Sequence, residues 1–231
     1  MGEDASHVGK YTEALSSLED EAFFRWFASS KSLEEETISG FWDFSIHILT
    51  QTVCKWATQP HTKTALEIGY GGGRILSAAQ RFFGYVVGID IHDRGPTVKR
   101  RVDAGLIRCD GKTIPVASGS IDFVYSFIVL MHLQSFEAFQ GYLKETYRVL
   151  KPNGLAQLYF GLKKTEINAP YVCNPSPANH LSLIIGMTTV QEEVRNLGFA
   201  LLDSGKSYKR APDGYPDVIG QQGYVTVQKP G

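Results

Sequence analysis

Cysteine is scarce in this sequence, and its arrangement excludes two kinds of structure. The three cysteines, Cys54, Cys109 and Cys173, are far apart, odd in number and form no Cys-x-x-Cys pair. Neither a disulfide framework nor a zinc site is expected from such a pattern. No other cluster of metal-binding side chains is evident, so we predict no bound metal. Reduced thiols fit a protein of the cytoplasm, which is the location we predict.

An excess of either charge and a long apolar run are also missing. The chain has 23 basic and 24 acidic residues, for a formal net charge of −1. Nucleic-acid-binding proteins usually carry a basic excess, so nucleic acid is not an expected partner. The longest apolar run, Phe123 to Leu133, is too short to cross a bilayer, so no membrane association is predicted. The polar, acidic amino terminus does not resemble a secretory signal.

Short apolar runs alternate with helical patterns from residue 64 onwards. We predict strands over Thr64–Gly69, Tyr85–Ile91, Gly105–Cys109, Ile121–Phe127, Leu155–Phe160, Phe199–Ser204 and Tyr224–Gln228. Helical spacing separates most of these runs, as in the stretch that Ser135 can cap. Strands that alternate with helices predict a mainly parallel sheet with helices on both faces. The last two strands are close enough in sequence to pair antiparallel.

Residues 1–58 precede this alternation and read as helical. Apolar side chains recur there at helical spacing, as in Ala22, Phe23, Trp26 and Phe27. We predict an exposed connection over Ser29–Ser39. The predicted division is therefore a helical extension over 1–58 and an α/β core over 59–231.

The most informative segment is the glycine-rich turn after the first strand, Leu66-Glu67-Ile68-Gly69-Tyr70-Gly71-Gly72-Gly73-Arg74. Glycines after a strand let the chain turn tightly and let a ligand touch the backbone, and the next helix presents free N–H groups. A P-loop is excluded, because no Gly-Lys-Ser/Thr follows. The dinucleotide pattern Gly-x-Gly-x-x-Gly fails in both registers, since its last position is Arg74 or Leu76.

Glu67 stands two residues before the first glycine, beside the expected ligand. A carboxylate there repels a pyrophosphate. It suits a ligand that has an ammonium and a sulfonium and no phosphate, such as S-adenosylmethionine. The alternative is that Glu67 pairs with Arg74 or a water molecule and that the loop is only a turn.

Two further acids follow the second and third strands. Asp90 closes the second strand and can accept from both hydroxyls of a ribose. NAD enzymes use the same contact, so Asp90 alone does not separate the two ligands. Asp110 precedes Gly111, where a carboxylate can accept from an adenine amino group while the next backbone N–H donates to the ring. An ordinary Asp-Gly turn explains that pair equally well.

These residues, in this order and spacing, resemble the class I S-adenosylmethionine-dependent methyltransferases, and most of all those acting on small molecules. The acid-x-Gly-x-Gly-x-Gly motif of that family matches Glu67, Gly69, Gly71 and Gly73. The ribose-binding and adenine-side acids match Asp90 and Asp110. Segments Ile114–Val124, Ser126–Leu133 and Leu150–Leu155 resemble the family's later motifs, so the likeness covers about residues 60 to 160.

The resemblance implies a Rossmann-like three-layer α/β/α sandwich around a mainly parallel seven-stranded sheet with an antiparallel last strand. It implies S-adenosylmethionine as cofactor and S-adenosylhomocysteine as product. The residues that it implies for cofactor binding are Glu67, Gly69, Tyr70, Gly71, Gly73, Asp90, Ile91, Asp110, Gly111, Ser126 and Phe127.

The predicted reaction is methyl transfer to a small-molecule acceptor whose attacking atom the sequence leaves open. His132, after the fourth strand, is the best candidate for a general base, although it can equally be a histidine that packs at a helix start. The Asn/Asp-Pro-Pro-aromatic motif of adenine methyltransferases is missing after the fourth strand, where Ser126-Phe127-Ile128-Val129 stands. We expect residues 1–58 and the insertion Gly161–Gly186 to form a lid over the methyl group.

Two other functions stay open at this point. An NAD-type oxidoreductase or epimerase often uses a Tyr-x-x-x-Lys pair, a spacing that Tyr147 and Lys151 share. Tyr147 lies on the apolar face of its helix, which favours a chance match. The other alternative is a non-catalytic member of the same fold that binds the cofactor or a partner protein.

Overall fold

The computed structural model describes residues 3–27, 32–162, 169–174, 181–207 and 222–231. Its strands are β1 Thr64–Ile68, β2 Tyr85–Asp90, β3 Gly105–Arg108, β4 Ile121–Ser126, β5 Leu150–Gly161, β6 Tyr171–Cys173, β7 Leu183–Ile185, β8 Ala200–Lys206 and β9 Gln222–Gln228. Its helices are α1 Glu3–Ser16, α2 Asp20–Phe27, α3 Leu33–Asp43, α4 Gln51–Trp56, α5 Arg74–Ala79, α6 Gly95–Lys99, α7 Phe136–Val149 and α8 Met187–Asn196. A π-helical turn, Phe44–Ile48, follows α3, and a 3-10 turn, Leu130–His132, follows β4.

Seven of these strands form one sheet in the order β3-β2-β1-β4-β5-β9-β8. The five strands from β3 to β5 run parallel, and β9 runs antiparallel to both of its neighbours. The sequence prediction of a mainly parallel sheet with an antiparallel last strand is confirmed. The chain order reverses between β1 and β4, which opens a crevice at the carboxyl ends of these strands.

The sheet is apolar on both faces, because helices cover both. One face packs α7 and α8 against residues such as Leu66, Val124 and Leu158. The other face packs α5 and the amino-terminal helices against residues such as Phe123 and Tyr125. Both clusters contain side chains that are fully excluded from solvent, which is the three-layer arrangement predicted from the alternating pattern.

Helix α3 is built into the core through a very close contact with α5. A Cβ atom at Gly40 would lie 2.2 Å from the carbonyl oxygen of Arg74, so only glycine lets the two backbones approach this closely. Arg74 also donates from its guanidinium to the buried carboxylate of Asp43. The amino-terminal helical segment and the first helix of the core are therefore joined by backbone contact and by an ion pair.

The connection predicted over Ser29–Ser39 is wrong from Leu33 onwards, where α3 begins. Ser32 caps that helix, and its hydroxyl accepts from the backbone N–H of Glu35 at 3.1 Å. Acidic residues fill the first turn, where the helix dipole favours negative charge. The polar composition of this stretch reflects a capped helix start.

Among the described residues, no helix has the length and apolar character needed to cross a membrane. Within the same residues, no group of three His, Cys, Asp or Glu side chains could hold a metal ion.

Candidate active site

The glycine-rich loop joins β1 to α5 at the carboxyl edge of the sheet. Gly69, Gly71 and Gly73 have φ angles of 75°, 50° and 83°, in the left-handed region that favours glycine. Gly71 also has no room for a side chain, since a Cβ atom there would lie 2.6 Å from the ring of Phe27. The loop therefore needs glycine both for its turn and for its close contact with α2.

A cavity of about 270 Å³ opens above this loop and the ends of β2 and β4. It brings together most of the side chains predicted for the cofactor, namely Glu67, Gly69, Tyr70, Gly71, Asp90, Ile91, Asp110, Gly111 and Phe127. Gly73 and Ser126 lie outside its lining. Gly73 caps the start of α5 and faces Val98. Ser126 is fully buried in the sheet, and its hydroxyl has no partner among the residues that the structure describes.

Glu67 is buried at the floor of the cavity, with 3% of its surface exposed. Its Oε2 accepts a hydrogen bond of 2.9 Å from the hydroxyl of Tyr125. Burial raises the pKa of Glu67 to about 8, although the Tyr125 hydroxyl and the nearby charge of Arg74 lower it in part. The guanidinium of Arg74 hydrogen-bonds Asp43 on α3, not Glu67, so the pairing considered from the sequence does not form. A cationic ligand group placed here would favour the ionised carboxylate.

Asp90 closes the glycine loop from the end of β2. Its Oδ2 accepts from the N–H of Gly71 at 2.8 Å, and its Oδ1 accepts from the N–H of Ile91 at 2.7 Å. Oδ1 also accepts a longer hydrogen bond of 3.4 Å from the backbone N–H of His92. Oδ2 keeps a second lone pair, so the same side chain can shape the loop and still accept from ligand hydroxyls.

Asp110 is exposed and forms a local turn at the end of β3. Its Oδ1 accepts from the backbone N–H groups of Lys112 and Thr113 at 2.9 and 2.7 Å, and from the Thr113 hydroxyl at 3.0 Å. Burial raises the pKa of Asp110, but these hydrogen bonds outweigh it and the pKa is lowered overall. The ordinary turn anticipated from the Asp-Gly pair is present, and Oδ2, which no described group occupies, is left to accept from a ligand.

The wall after β4 is held in an unusual backbone conformation. Ile128 has a φ angle of 58°, which is rare for a β-branched residue. Its N–H donates to Oε1 of the buried Gln222 at 3.3 Å. Val129 follows, and a Cβ atom at Gly69 would lie only 2.4 Å from its side chain. This wall therefore packs directly on the glycine loop.

His132 lines the same cavity from the 3-10 turn after β4. Gln134 stands next to it and donates from Nε2 to the carbonyl of His132 at 2.7 Å and to the Ser182 hydroxyl at 3.2 Å. Ser182 belongs to the insertion predicted over Gly161–Gly186, of which residues 163–168 and 175–180 lie outside the described residues. These polar groups mark one end of the cavity.

Several lining residues were not predicted as site residues from the sequence. Trp26 and Phe27 reach the cavity from α2, and Tyr142 reaches it from α7. His92, fully buried two residues after Asp90, contacts the loop from behind. The sequence indicates the position of His92 alone among these residues, because a residue two places after Asp90 lies beside the glycine loop.

Comparison with known proteins gives one consistent result for the core. Residues 66–158 match the family described as "Methyltransferase domain". A methyltransferase of Methanosarcina mazei described as S-adenosylmethionine-dependent has the same fold, with a TM-score of 0.61, 14% identity, and 78% of this chain and 98% of that chain covered. A similar structure from Listeria monocytogenes, described as a putative S-adenosylmethionine-dependent methyltransferase, gives a TM-score of 0.59 with 17% identity, covering 84% of this chain and all of that chain.

A curated relative corrects the prediction about partners. The chain is 30% identical over 109 residues to tRNA (carboxymethyluridine(34)-5-O)-methyltransferase ALKBH8 of Macaca fascicularis. The match covers 47% of this chain and only 16% of the relative's length. The prediction that nucleic acid is not an expected partner is wrong, because this relative is named as a tRNA methyltransferase. Balanced total charge excludes only an overall basic excess and says nothing about a local surface.

Proposed function

The chain belongs to the class I S-adenosylmethionine-dependent methyltransferases, and on that premise we propose that it transfers the methyl group of this cofactor to an acceptor bound above β1 and β4. The main support for the proposal is that Glu67, Asp90 and Asp110 line the same cavity as the glycine loop. Three carboxylates suit a ligand that is cationic and has a ribose and an adenine.

Each acid has its own proposed role. Glu67 accepts from the ammonium of the methionine part, Asp90 from the two ribose hydroxyls, and Asp110 from the adenine amino group through its unoccupied Oδ2. The loop backbone supports these acids from below, because the N–H groups of Gly69 and Tyr70 donate to the Ile89 carbonyl and that of Gly71 donates to Asp90. Gly73 and Ser126 support the loop and the strand end from outside the cavity.

Methyl transfer is an in-line displacement, so the protein has to align the acceptor and exclude water. Tyr11, Trp26 and Phe27 support the proposed lid over residues 1–58, because they bring aromatic surface from α1 and α2 to the cavity. His132 is proposed as the base for a hydroxyl acceptor, at the end of the cavity where Gln134 and Ser182 also stand. A carboxylate acceptor needs no base.

The acceptor is proposed to be a single group of about nucleoside size. The small-molecule acceptor expected from the sequence is supported by α1 and α2, whose aromatic side chains cover the cavity. A nucleoside within a tRNA is the second candidate, favoured by the relative named as a carboxymethyluridine methyltransferase. One nucleotide turned out of an RNA strand can enter the same opening.

The cytoplasm is proposed as the location, supported by three cysteines that form no disulfide.

The cofactor is tested by calorimetry with S-adenosylhomocysteine and with NAD. We expect S-adenosylhomocysteine to bind at micromolar strength, on the order of −8 kcal/mol, and NAD not to bind. Binding of NAD alone would establish the oxidoreductase alternative. Binding of S-adenosylhomocysteine without any turnover would favour the non-catalytic alternative.

The acceptor is tested with radiolabelled S-adenosylmethionine and two probes, free carboxymethyluridine and a tRNA that carries this nucleoside. Label in both identifies the nucleoside as sufficient, and label in the tRNA alone identifies an RNA-dependent enzyme. Label in neither excludes this nucleoside and directs the search to other small acceptors. The Asp90→Ala variant is the control, since its labelling should fall at least about tenfold at a cofactor concentration below the wild-type Kd.

A further inference from the structure

His92 lies between β2 and α6 and is fully buried. Its Nε2 is 3.1 Å from the carbonyl oxygen of Gly71, and its Nδ1 accepts from the backbone N–H of Arg94 at 3.1 Å. Because Nδ1 is an acceptor, the ring proton sits on Nε2 and is donated to the Gly71 carbonyl. Nε2 also lies 3.6 Å from Oδ2 of Asp90, so the ring contacts the carboxylate that holds the same loop.

The segment from Asp90 to His92 therefore hydrogen-bonds both the N–H and the carbonyl of Gly71. Asp90 accepts from the Gly71 N–H at 2.8 Å, and His92, two residues further on, donates to the Gly71 carbonyl. Gly71 has a φ angle of 50° and lies at the centre of the loop. Rotation of this residue would change the path of the glycine loop that lines the cavity, and it requires both bonds to break.

The His92 ring also contacts the helices that cover the cavity. It packs edge-on to Phe23 with ring centres 5.3 Å apart, lies 5.9 Å from the ring of Phe27, and packs edge-on to Tyr70 at 5.0 Å. Phe27 in turn occupies the space beside Gly71. One side chain therefore contacts α2, the loop tyrosine and the loop carbonyl.

The next residues of this segment anchor the same helices from outside. Arg94 donates to the carbonyl oxygen of Leu18 at 2.7 Å and to the carboxylate of Asp20 at 2.6 Å. The backbone N–H that His92 binds is that of Arg94 itself. The position of the α1–α2 connection and the orientation of Gly71 are thus linked through two neighbouring residues.

We infer that His92 is a positioning residue, which holds the Gly71 carbonyl through Nε2–H and so couples the docking of α2 to the cofactor loop. The inference rests on the proposed function, because the loop is taken to bind S-adenosylmethionine. In this proposal His92 acts on the cofactor only through the orientation of the glycine loop.

Two substitutions separate the two nitrogens. His92→Gln retains a donor at the distance of Nε2 and loses the acceptor at Nδ1, whereas His92→Asn retains an acceptor near Nδ1 and loses the donor. Both remove the ring, so thermal melting should show similar losses of stability. We expect calorimetry to give a Kd for S-adenosylhomocysteine within about threefold of wild type for His92→Gln and at least about tenfold weaker for His92→Asn.

The coupling is tested with Phe23→Leu in both backgrounds, because Phe23 packs on the His92 ring at 5.3 Å and does not line the cavity. We expect Phe23→Leu to weaken binding in the wild type and to add little to His92→Asn, because the link is already broken there. Equal Kd values for the Gln and Asn variants, or fully additive effects of Phe23→Leu, would overturn the inference. A wild-type protein that binds no S-adenosylhomocysteine would instead overturn the proposed function, so the two failures are distinguishable.

Discussion

Asp90 illustrates how one side chain can serve the fold and the ligand together. Its two oxygens hold the backbone N–H groups of Gly71 and Ile91 before any ligand arrives. We expect Asp90→Ala to weaken binding of S-adenosylhomocysteine at least about tenfold and to lower stability by about 1–2 kcal/mol, or about 2–8 °C in Tm. Asp90→Asn retains one acceptor and should recover part of the stability. An unchanged Tm for Asp90→Ala would show that the loop does not depend on this carboxylate.

The raised pKa of Glu67 predicts that stability and ligand affinity change in opposite directions with pH. Its pKa is raised from 4.5 to about 8 by burial, so the free protein loses stability as pH rises from about 4.5 towards 8, where the unfolded chain ionises Glu67 and the folded protein keeps it protonated. Binding of a cationic ligand needs the ionised form. Affinity for S-adenosylhomocysteine should therefore increase towards pH 8, by at most about tenfold per pH unit.

Glu67→Gln is the matched control for this pair of trends. The variant cannot ionise, so both its Tm and its affinity should vary less with pH than those of the wild type between pH 6 and 8.5. Its Tm at pH 8 should equal or exceed that of the wild type, while its binding should be weaker. Parallel pH profiles for the two proteins would show that another group titrates in this range.

The acids of the site could be predicted from sequence because each follows a short apolar run that ends at the same sheet edge. Glu67, Asp90 and Asp110 need only the strand positions to be placed near one another. The contacts of His92 and Gln222 could not be predicted in this way. They depend on where a ring nitrogen and an amide oxygen meet the backbone of Gly71 and Ile128, which only the packed structure determines.

At the scale of elements, the contact between α3 and α5 gives a sharp prediction. Gly40→Ala places a Cβ atom against the Arg74 carbonyl and should cost about 2–4 kcal/mol in the free energy of unfolding, because two backbones have to separate. Gly141→Ala in α7 is the control, since nothing lies within 4 Å of its Cβ position. That variant should be stabilised by about 0.5–1 kcal/mol. Denaturant unfolding measures both, and similar values would contradict the close packing.

The seven strands of the large sheet could be predicted because buried strands read as apolar runs, whereas the short strands β6 and β7 were not predicted. The amino-terminal elements could be predicted only as helical. Their apolar positions show that they bury a face, but nothing in the local pattern of Gly40 or Asp43 indicates that α5 is the partner. The division at residue 58 therefore remains a proposal, and the Gly40 contact places α3 against the core.

For the whole molecule, the amino-terminal segment has two parts with different expected roles. Helix α1 reaches the cavity with Tyr11, and Thr12 donates to the carbonyl of Ile91 at 3.3 Å. Helix α3 instead supports α5 through Gly40 and Asp43. The first is the better candidate for a lid, and the second is part of the support beneath the glycine loop.

Two truncations distinguish these roles. Removal of residues 1–18 should leave a protein that still unfolds cooperatively, with a lower Tm because the fully buried Leu15 is lost. Its affinity for S-adenosylhomocysteine should fall about tenfold or more, since Tyr11 and the contact with Ile91 are gone. Removal of residues 1–43 deletes the ion-pair partner of Arg74 and uncovers α5, so cooperative unfolding should be lost. If both truncated proteins bind the ligand as the full chain does, the amino-terminal helices neither cover the cofactor nor support its loop, and the lid must be sought in the segment that carries Ser182.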